Sequence, residues 1–280
     1  MDQLVLQRSM SVFDWIEMAA DLPIDGLELY DGFLETLDEG YLEKVRLAIE
    51  RRRLKMPMLC CSPDFTQPDP DARRKEIERE KKMIDVTVSL GGKFCRVLSG
   101  QRRPEISRAE GVRLVVESIG EMLEYAAQRG IVLALENHYK DNYWKYPEFA
   151  QHTDVFLEIV SQIDSPWFGV QFDPSNTLVA GEDPLDLLER LKSRVVTMHA
   201  SDRYLMSGHT LEDLKKAEGS IGYAAFLSHG VIGKGLNDYP RIFQILKEAV
   251  FNRDPPLEPG FFQDLKDPRI IIQSFPDDPM

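Results

Sequence analysis

Cysteine is scarce in this chain: Cys60, Cys61 and Cys95 are the only three among 280 residues. No two of them make a C-x-x-C pair, and adjacent Cys60 and Cys61 would point to opposite faces of a strand. A disulfide scaffold is therefore not expected, and a reducing compartment fits. Positive charge is also in deficit. Against 47 Asp and Glu there are 34 Lys and Arg, a formal net charge of −13. Nucleic-acid binders draw most of their affinity from neutralising phosphates, so this balance argues against a polyanionic partner. The local basic clusters "RRR" (51–53) and "RRK" (73–75) have acidic residues close behind them and read as solvated helix faces. No apolar run approaches the roughly 18 residues of a membrane span. The opening "MDQLVLQRSMS" lacks a basic stretch followed by an apolar one. The expectation is a cytoplasmic protein with neither a membrane nor a nucleic acid as partner.

What is present describes an ordinary globular chain, 43% hydrophobic and 29% charged. No linker or low-complexity segment divides it, so residues 1–280 are read as a single domain. Apolar periodicity alternates between two kinds of segment. Helical spacing marks 12–22, 40–54, 73–91, 110–130, 154–164, 184–193 and 239–250, with Gly91 and Gly130 closing two of these helices. Short apolar runs mark strands at 25–30, 55–62, 93–100, 131–139, 167–176 and 195–202. A short first strand, "LVL" (4–6), and an uncertain last one flank these six. Strands that alternate with helices imply parallel pairing, and continuous apolar strands imply burial on both faces. The expected fold is α/β, a (β/α)8 TIM barrel with an irregular or incomplete C-terminal βα unit. A doubly wound sheet is the alternative, weakened by the lack of a Gly-rich phosphate loop after the first strand.

In such a barrel the chemistry sits at the C-terminal ends of the strands. Here those ends carry Glu28, Ser62, Ser99–Gly100, Glu136, Asp173 and His199. Taken singly, a strand-end Asp or Glu is most often a cap or a solvated group, and a lone His is most often structural. Three consecutive apolar strands ending in Glu136, Asp173 and His199 are different, because closure of the barrel would bring them to one rim. Two carboxylates and an imidazole there offer oxygen and nitrogen donors to a divalent metal.

The stretches "DGLELYDGF" (25–33), "ALENHY" (134–139), "GVQFDPSN" (169–176), "VTMHASDRY" (196–204) and "HGVIGKGLNDYPRIF" (229–243) together resemble the xylose-isomerase-like TIM barrel superfamily. That superfamily holds sugar and sugar-phosphate isomerases and epimerases and, more distantly, endonuclease IV. The resemblance implies a fourth ligand, a Glu on the last strand. Ungapped, "KEAVFNRDPPLEPG" (247–260) places Glu258 there, although its prolines suit a strand poorly. A rival alignment through "RIIIQSF" (269–275) would put Gln273 at that position and remove one charge. The family's closing helix has no counterpart before Met280.

The implied activity is that of a metal-dependent isomerase or epimerase of a sugar, sugar phosphate or related polyol. Glu136 and Glu258 would remove and return a proton through a metal-stabilised enediolate, while Glu136, Asp173, His199 and Glu258 hold the ion. Mn²⁺ or Mg²⁺ suits this donor set best, with Co²⁺ or Zn²⁺ as alternatives. Glu28, His138, Lys140, Asn142, Trp144, Asn176, Asp202, Arg203 and His229 are the candidate substrate-binding residues, with Asp202 and Arg203 able instead to fix the imidazole. Arg96, Gln101, Arg102 and Arg103 surround the fourth expected strand end and can be imagined reaching a phosphate. The partner is a small sugar-like molecule, and a homo-oligomer is compatible with the sequence. Alternatives are a dehydratase of inosose or dehydroshikimate type and a barrel that has lost catalysis with its last ligand. Endonuclease activity would want more histidines and a basic groove; Asn176 stands where many relatives carry a His, which argues against a trinuclear zinc cluster.

Overall fold

The computed structural model describes residues 9–140, 143–216 and 226–251. Six parallel strands pair strictly in chain order: β1 (Leu29–Tyr30), β2 (Met58–Cys60), β3 (Phe94–Val97), β4 (Val132–Glu136), β5 (Phe168–Phe172) and β6 (Val195–Met198). These are the six strands that the apolar runs predict. The expected strand at 4–6, and both candidates for the last strand, lie outside the described residues. Helix α1 (Val12–Ala19) precedes β1, and between the strands run α2 (Glu39–Arg51), α3 (Pro70–Ser89), α4 (Arg108–Gln128), α5 (Thr153–Gln162), α6 (Pro174–Val179) and α7 (Pro184–Leu191). A hairpin of β7 (Arg203–Leu205) and β8 (Leu227–His229) follows, with α8 (Leu211–Lys216) between its strands, and α9 (Tyr239–Phe251) closes the described chain. Among the described residues no helix is long and apolar enough to cross a membrane.

Local chemistry sets the helix ends. Ser11 and Asp14 form a reciprocal capping box at α1. Asp69 caps α3 and Asp183 caps α7, each followed by a proline at the first helical position, where no N–H is needed. Gly91 and Gly130 adopt φ of +82° and +66° just past α3 and α4, the left-handed turn that stops a helix.

Alternation along the strands divides the apolar residues into two cores. Leu59, Cys61, Cys95, Val97, Leu133 and Leu135 face outward into the large core shared with the helices. Met58, Cys60, Phe94, Val132 and Ala134 form a smaller inner cluster, against which Tyr30, Trp167 and Val196 pack. Cys60 and Cys61 therefore do face opposite ways, and all three cysteines are free. The inner series continues into polar residues, so the strand ends deliver functional groups and not further apolar bulk.

One irregularity sets the site. Val170 pairs with Val195, but Gln171 pairs with Thr197 and Phe172 with Met198, so one residue of β6 is inserted as a bulge. A one-residue offset inverts the facing of every later side chain. Without it His199 would follow the outward phase of Val195; with it His199 turns inward.

Gly100, at the end of β3, has φ +109°, and a Cβ there would lie 2.6 Å from Asp64 Oδ1, 2.6 Å from Thr66 Oγ1 and 2.8 Å from Phe65 N. Gly100→Ala should destabilise the fold by about 2–4 kcal/mol, combining backbone strain with overpacking. Urea unfolding measures this; a loss below about 0.5 kcal/mol would mean that the turn at Gly100 is not fixed as described.

Candidate metal centre

Glu136 is the last residue of β4 and is 2% exposed. Its two oxygens have different partners. Oε1 accepts from Asn176 Nδ2 at 3.3 Å and faces His199 Nδ1 at 3.0 Å. Oε2 accepts from Arg96 Nη1 at 2.7 Å. Arg96 is itself buried on β3, and it also donates to Cys61 O and Ser62 Oγ, both at 3.1 Å. Burial raises the Glu136 pKa, but His199 and Arg96 outweigh it and hold the carboxyl well below the usual range.

Asp173 follows β5 and caps α6. Its Oδ1 accepts from Ser175 N at 2.8 Å, from Asn176 N at 3.2 Å and from Ser201 Oγ at 2.6 Å. Oδ2 lies 3.9 Å from His199 Nδ1. The bland reading of this residue as a cap and its reading as a ligand therefore fall on separate oxygens. Burial, with Glu136 nearby, raises its pKa.

His199 joins the two carboxylates from the end of β6. On its far side Nε2 lies 2.8 Å from Glu28 Oε2 and 2.6 Å from the Gln171 amide. The Gln171 Oε1 atom is buried with no hydrogen-bond partner. Exchanging the amide's oxygen and nitrogen would give that oxygen the Nε2–H, since the two are assigned only by their surroundings. Both neighbours thus favour a proton on Nε2, which leaves the Nδ1 lone pair facing Glu136 and Asp173. In the metal-free site burial lowers the His199 pKa, but Glu28 and Glu136 outweigh it and push the imidazole well above its ordinary range.

One ligand atom each from Glu136, Asp173 and His199 lies within 4.8 Å of the others. Glu28, Cys60 and His199 meet the same criterion on the Nε2 side. The first group fits a divalent cation. Three buried carboxylates and one guanidinium leave two formal negative charges around a neutral imidazole, which one dication would balance.

The remaining candidates scatter. Glu28 orients the imidazole, and Asn176 holds Glu136. His138 stacks on Tyr139, and its Nδ1 lies 3.8 Å from Glu148 Oε2. Glu148 binds Ser99 through its backbone N–H at 2.7 Å and its hydroxyl at 2.5 Å, pinning the loop after β4 to the end of β3. Trp144 is buried, Lys140 is half-buried, and Asn142 lies outside the described residues, as does Glu258. His229 is exposed on β8, 3.0 Å from Arg203 Nη1. Arg103 and Gln101 are held by buried Asp64, so they do not converge on a phosphate. Arg96, Gln171 and Ser201 are the site residues whose roles sequence reasoning missed. The available signal was a lone Arg in "KFCRVLSG" and a lone Gln in "GVQFD", each in a strand buried on both faces where a polar group must be partnered.

Asp202 organises the glycine loop. Its Oδ1 accepts from Arg203 N at 2.9 Å and Asn237 N at 3.1 Å, and its Oδ2 from Gly233 N and Gly235 N, each at 2.9 Å. This explains the "GKG" signature: Gly233 has φ +77°, and a Cβ on Gly235 would lie 2.4 Å from Arg203 O and from Asp202 Oδ1. Asp202→Asn would turn an NH₂ group toward two backbone N–H donors. The expected loss is about 2–4 kcal/mol, with faster amide exchange at Gly233, Gly235 and Asn237. Unchanged stability with a raised KM would instead assign Asp202 to the substrate.

The model of the xylose isomerase-like TIM barrel family matches residues 16–259. The 3-oxo-isoapionate decarboxylase of Pectobacterium atrosepticum is 33% identical over 164 residues, 59% of this chain and 50% of that protein. The chain spans about half the length of the curated relatives it matches. Among solved structures, an IOLI protein with a bound zinc atom superimposes with a TM-score of 0.68 at 18% identity, covering 88% of this chain and 83% of that one. A D-tagatose 3-epimerase-like protein gives a TM-score of 0.65 at 19% identity, covering 87% and 84%. At these identities the structural likeness shows the fold. With most of its length matched by the family model, the chain belongs to the xylose isomerase-like TIM barrel family.

Proposed function

We propose that this protein is a divalent-metal-dependent isomerase or epimerase of a sugar, sugar phosphate or related polyol, acting by proton removal and return beside a carbonyl. One observation carries the reading: Glu136, Asp173 and His199, from three consecutive strand ends, present ligand atoms within 4.8 Å of one another. Glu258 is proposed as the fourth ligand and as the second proton-transfer group. The epimerase-like structural neighbour supports the reaction class, and the zinc-bearing one supports a bound cation. A bound cation would polarise the substrate carbonyl as a Lewis acid. Mn²⁺ or Mg²⁺ suits the carboxylate-rich set, with Co²⁺ or Zn²⁺ as alternatives.

The chain's own residues supply the rest. Glu28 keeps the imidazole proton on Nε2. Asn176 and Arg96 hold the two oxygens of Glu136. Oε1, on the His199 side, would face a bound cation, so a proton taken up by Glu136 would go to Oε2 with the Arg96 contact loosened. His138, Lys140, Asn142 and Trp144 are proposed to line the substrate on the loop after β4, with Arg203 and His229 on the hairpin. Three free cysteines fit a reducing, cytoplasmic setting.

Arg96 favours a second reading. A carboxylate held strongly ionised by a buried guanidinium is a poor base. Loss of CO₂ from a 3-oxo acid leaves an enolate directly and needs no base, and the decarboxylase relative supports that outcome.

The experiment that separates the readings incubates the enzyme with ketoses in D₂O and with 3-oxo sugar acids, following deuterium uptake by NMR and CO₂ release. Isomerase chemistry predicts deuterium uptake into a ketose; CO₂ release without such uptake selects decarboxylation. Either activity should fall at least about a hundredfold on chelation and return with the cation. Glu136→Gln should lose activity by at least about the same factor while circular dichroism reports a retained fold. Full activity after chelation would remove the metal from the mechanism, and global unfolding of the variant would make Glu136 a structural residue.

A further inference from the structure

On the outer side of the sheet lies a second cluster of ionisable groups that the rim chemistry does not use. Cys61, immediately after β2, and Cys95, on β3, both point away from the barrel interior toward α3. The buried face of α3 is Ile77, Glu80, Met83, Ile84, Val86 and Thr87, so a carboxyl group sits in the middle of an apolar stripe. Cys61, Cys95 and Glu80 are each 0% exposed. Their sulfurs are 3.9 Å apart, and Cys95 Sγ lies 3.2 Å from Glu80 Oε1. The other oxygen, Glu80 Oε2, is buried with no hydrogen-bond partner. An unpartnered polar atom in an apolar core costs on the order of 1–3 kcal/mol, so the arrangement asks for a reason.

The geometry points to one: we propose that Cys61, Cys95 and Glu80 form a buried Zn²⁺ site, separate from the rim centre. With metal–sulfur bonds near 2.3 Å and metal–oxygen bonds near 2.0–2.2 Å, tetrahedral donors stand about 3.5–3.8 Å apart. The sulfur–sulfur and sulfur–oxygen separations bracket that range, and all three ligand atoms lie within 4.8 Å of one another. Glu80 binding through both oxygens would make four donor atoms from three residues and satisfy Oε2. Two thiolates select Zn²⁺ over Mg²⁺ or Mn²⁺, so the two sites differ in the class of metal they take.

The charge environment agrees. Two thiolates and a carboxylate around Zn²⁺ leave one formal negative charge. Arg79, paired with Asp31, acts electrostatically on both Cys61 and Glu80, and Arg96 donates to the Cys61 carbonyl. Thr87 is the remaining polar neighbour, touching Cys95. Without an ion the cluster holds its protons. Burial pushes Glu80 up to about 8. The contact with Cys61 lowers the Cys95 thiol, but burial and Glu80 outweigh it and raise it to about 11. Loading the ion releases these protons, so apparent affinity rises with pH.

The test uses the full chain expressed with zinc, dialysed, and measured for metal content and thiols. A variant carrying Glu136→Gln, Asp173→Asn and His199→Asn should still retain one zinc per chain, and Cys61→Ala and Cys95→Ala should each lose it. Refolding with Co²⁺ in place of zinc should give a thiolate charge-transfer band in the near ultraviolet, which oxygen and nitrogen ligands at the rim do not produce. Glu80→Gln should keep the thiols and weaken Co²⁺ binding more than about tenfold. Should an alanine variant fail to fold, the band in the otherwise native chain, and its persistence in Cys60→Ser, still decide the matter. Absence of a thiolate band, its loss in Cys60→Ser with retention in Cys95→Ala, or a protein two mass units light from a Cys61–Cys95 disulfide would each overturn the proposal.

Discussion

Buried charge is the constraint from which the rest of this structure follows. Glu28, Arg96, Glu136, Asp173 and His199 occupy the inner side of a barrel whose strands are otherwise apolar apart from Gln171 and Thr197. An ionised group taken out of water costs several kcal/mol unless it is paired and hydrogen-bonded, so none of these side chains could stand there alone. Arg96 holds one oxygen of Glu136, Asn176 the other, and Glu28 fixes the far nitrogen of His199. Each residue restricts the conformation of the next, and the site is rigid because separating any pair leaves a charge exposed to hydrocarbon. That rigidity is also the preorganisation a metal centre requires.

Much of this was legible in the sequence. Continuous apolar runs bounded by helical stretches gave six of the strands and their parallel order, because burial on both faces leaves no other pattern. Glu136, Asp173 and His199 stood out because each interrupts such a run at its end. Other features left weaker traces. The bulge in β6 has no residue signature in "VVTMHASD", since inserting Val196 changes facing and not composition. The short helix α6 is hidden by reading "DPSN" as the tail of a strand, although Asp173 followed by a proline is a helix start. The β7–β8 hairpin is held by a small cluster of Val179, Leu214 and Leu227, residues too far apart in the chain to read as one unit. Arg96 read as a group for a phosphate because its partner, Glu136, is 40 residues away.

Carboxylates recur in a second role, as loop anchors. Asp64 gathers Gln101 and Arg103. Glu148 takes the backbone N–H and hydroxyl of Ser99. Asp202 takes four backbone N–H groups around the glycine loop. Each is at most 4% exposed. Loops at the functional end of a barrel cannot rely on a sheet ladder for their polar backbone groups, and a buried carboxylate supplies several strong acceptors from one position. Part of the chain's large acidic excess thus works inside the protein.

The bulge in β6 has an evolutionary consequence. Because strand side chains alternate, the bulge takes up one extra residue and returns everything downstream to the facing that a strand one residue shorter would have. Substitution at Val195 or Val196 alters packing locally and by degrees. Deletion of one residue between Val195 and His199 would restore a regular ladder and leave His199 facing inward, whereas pairing all of these residues without a bulge would turn His199 into the helix layer. A one-residue gap placed within this strand of an alignment would therefore mark loss of the bulge and not loss of the imidazole at the rim.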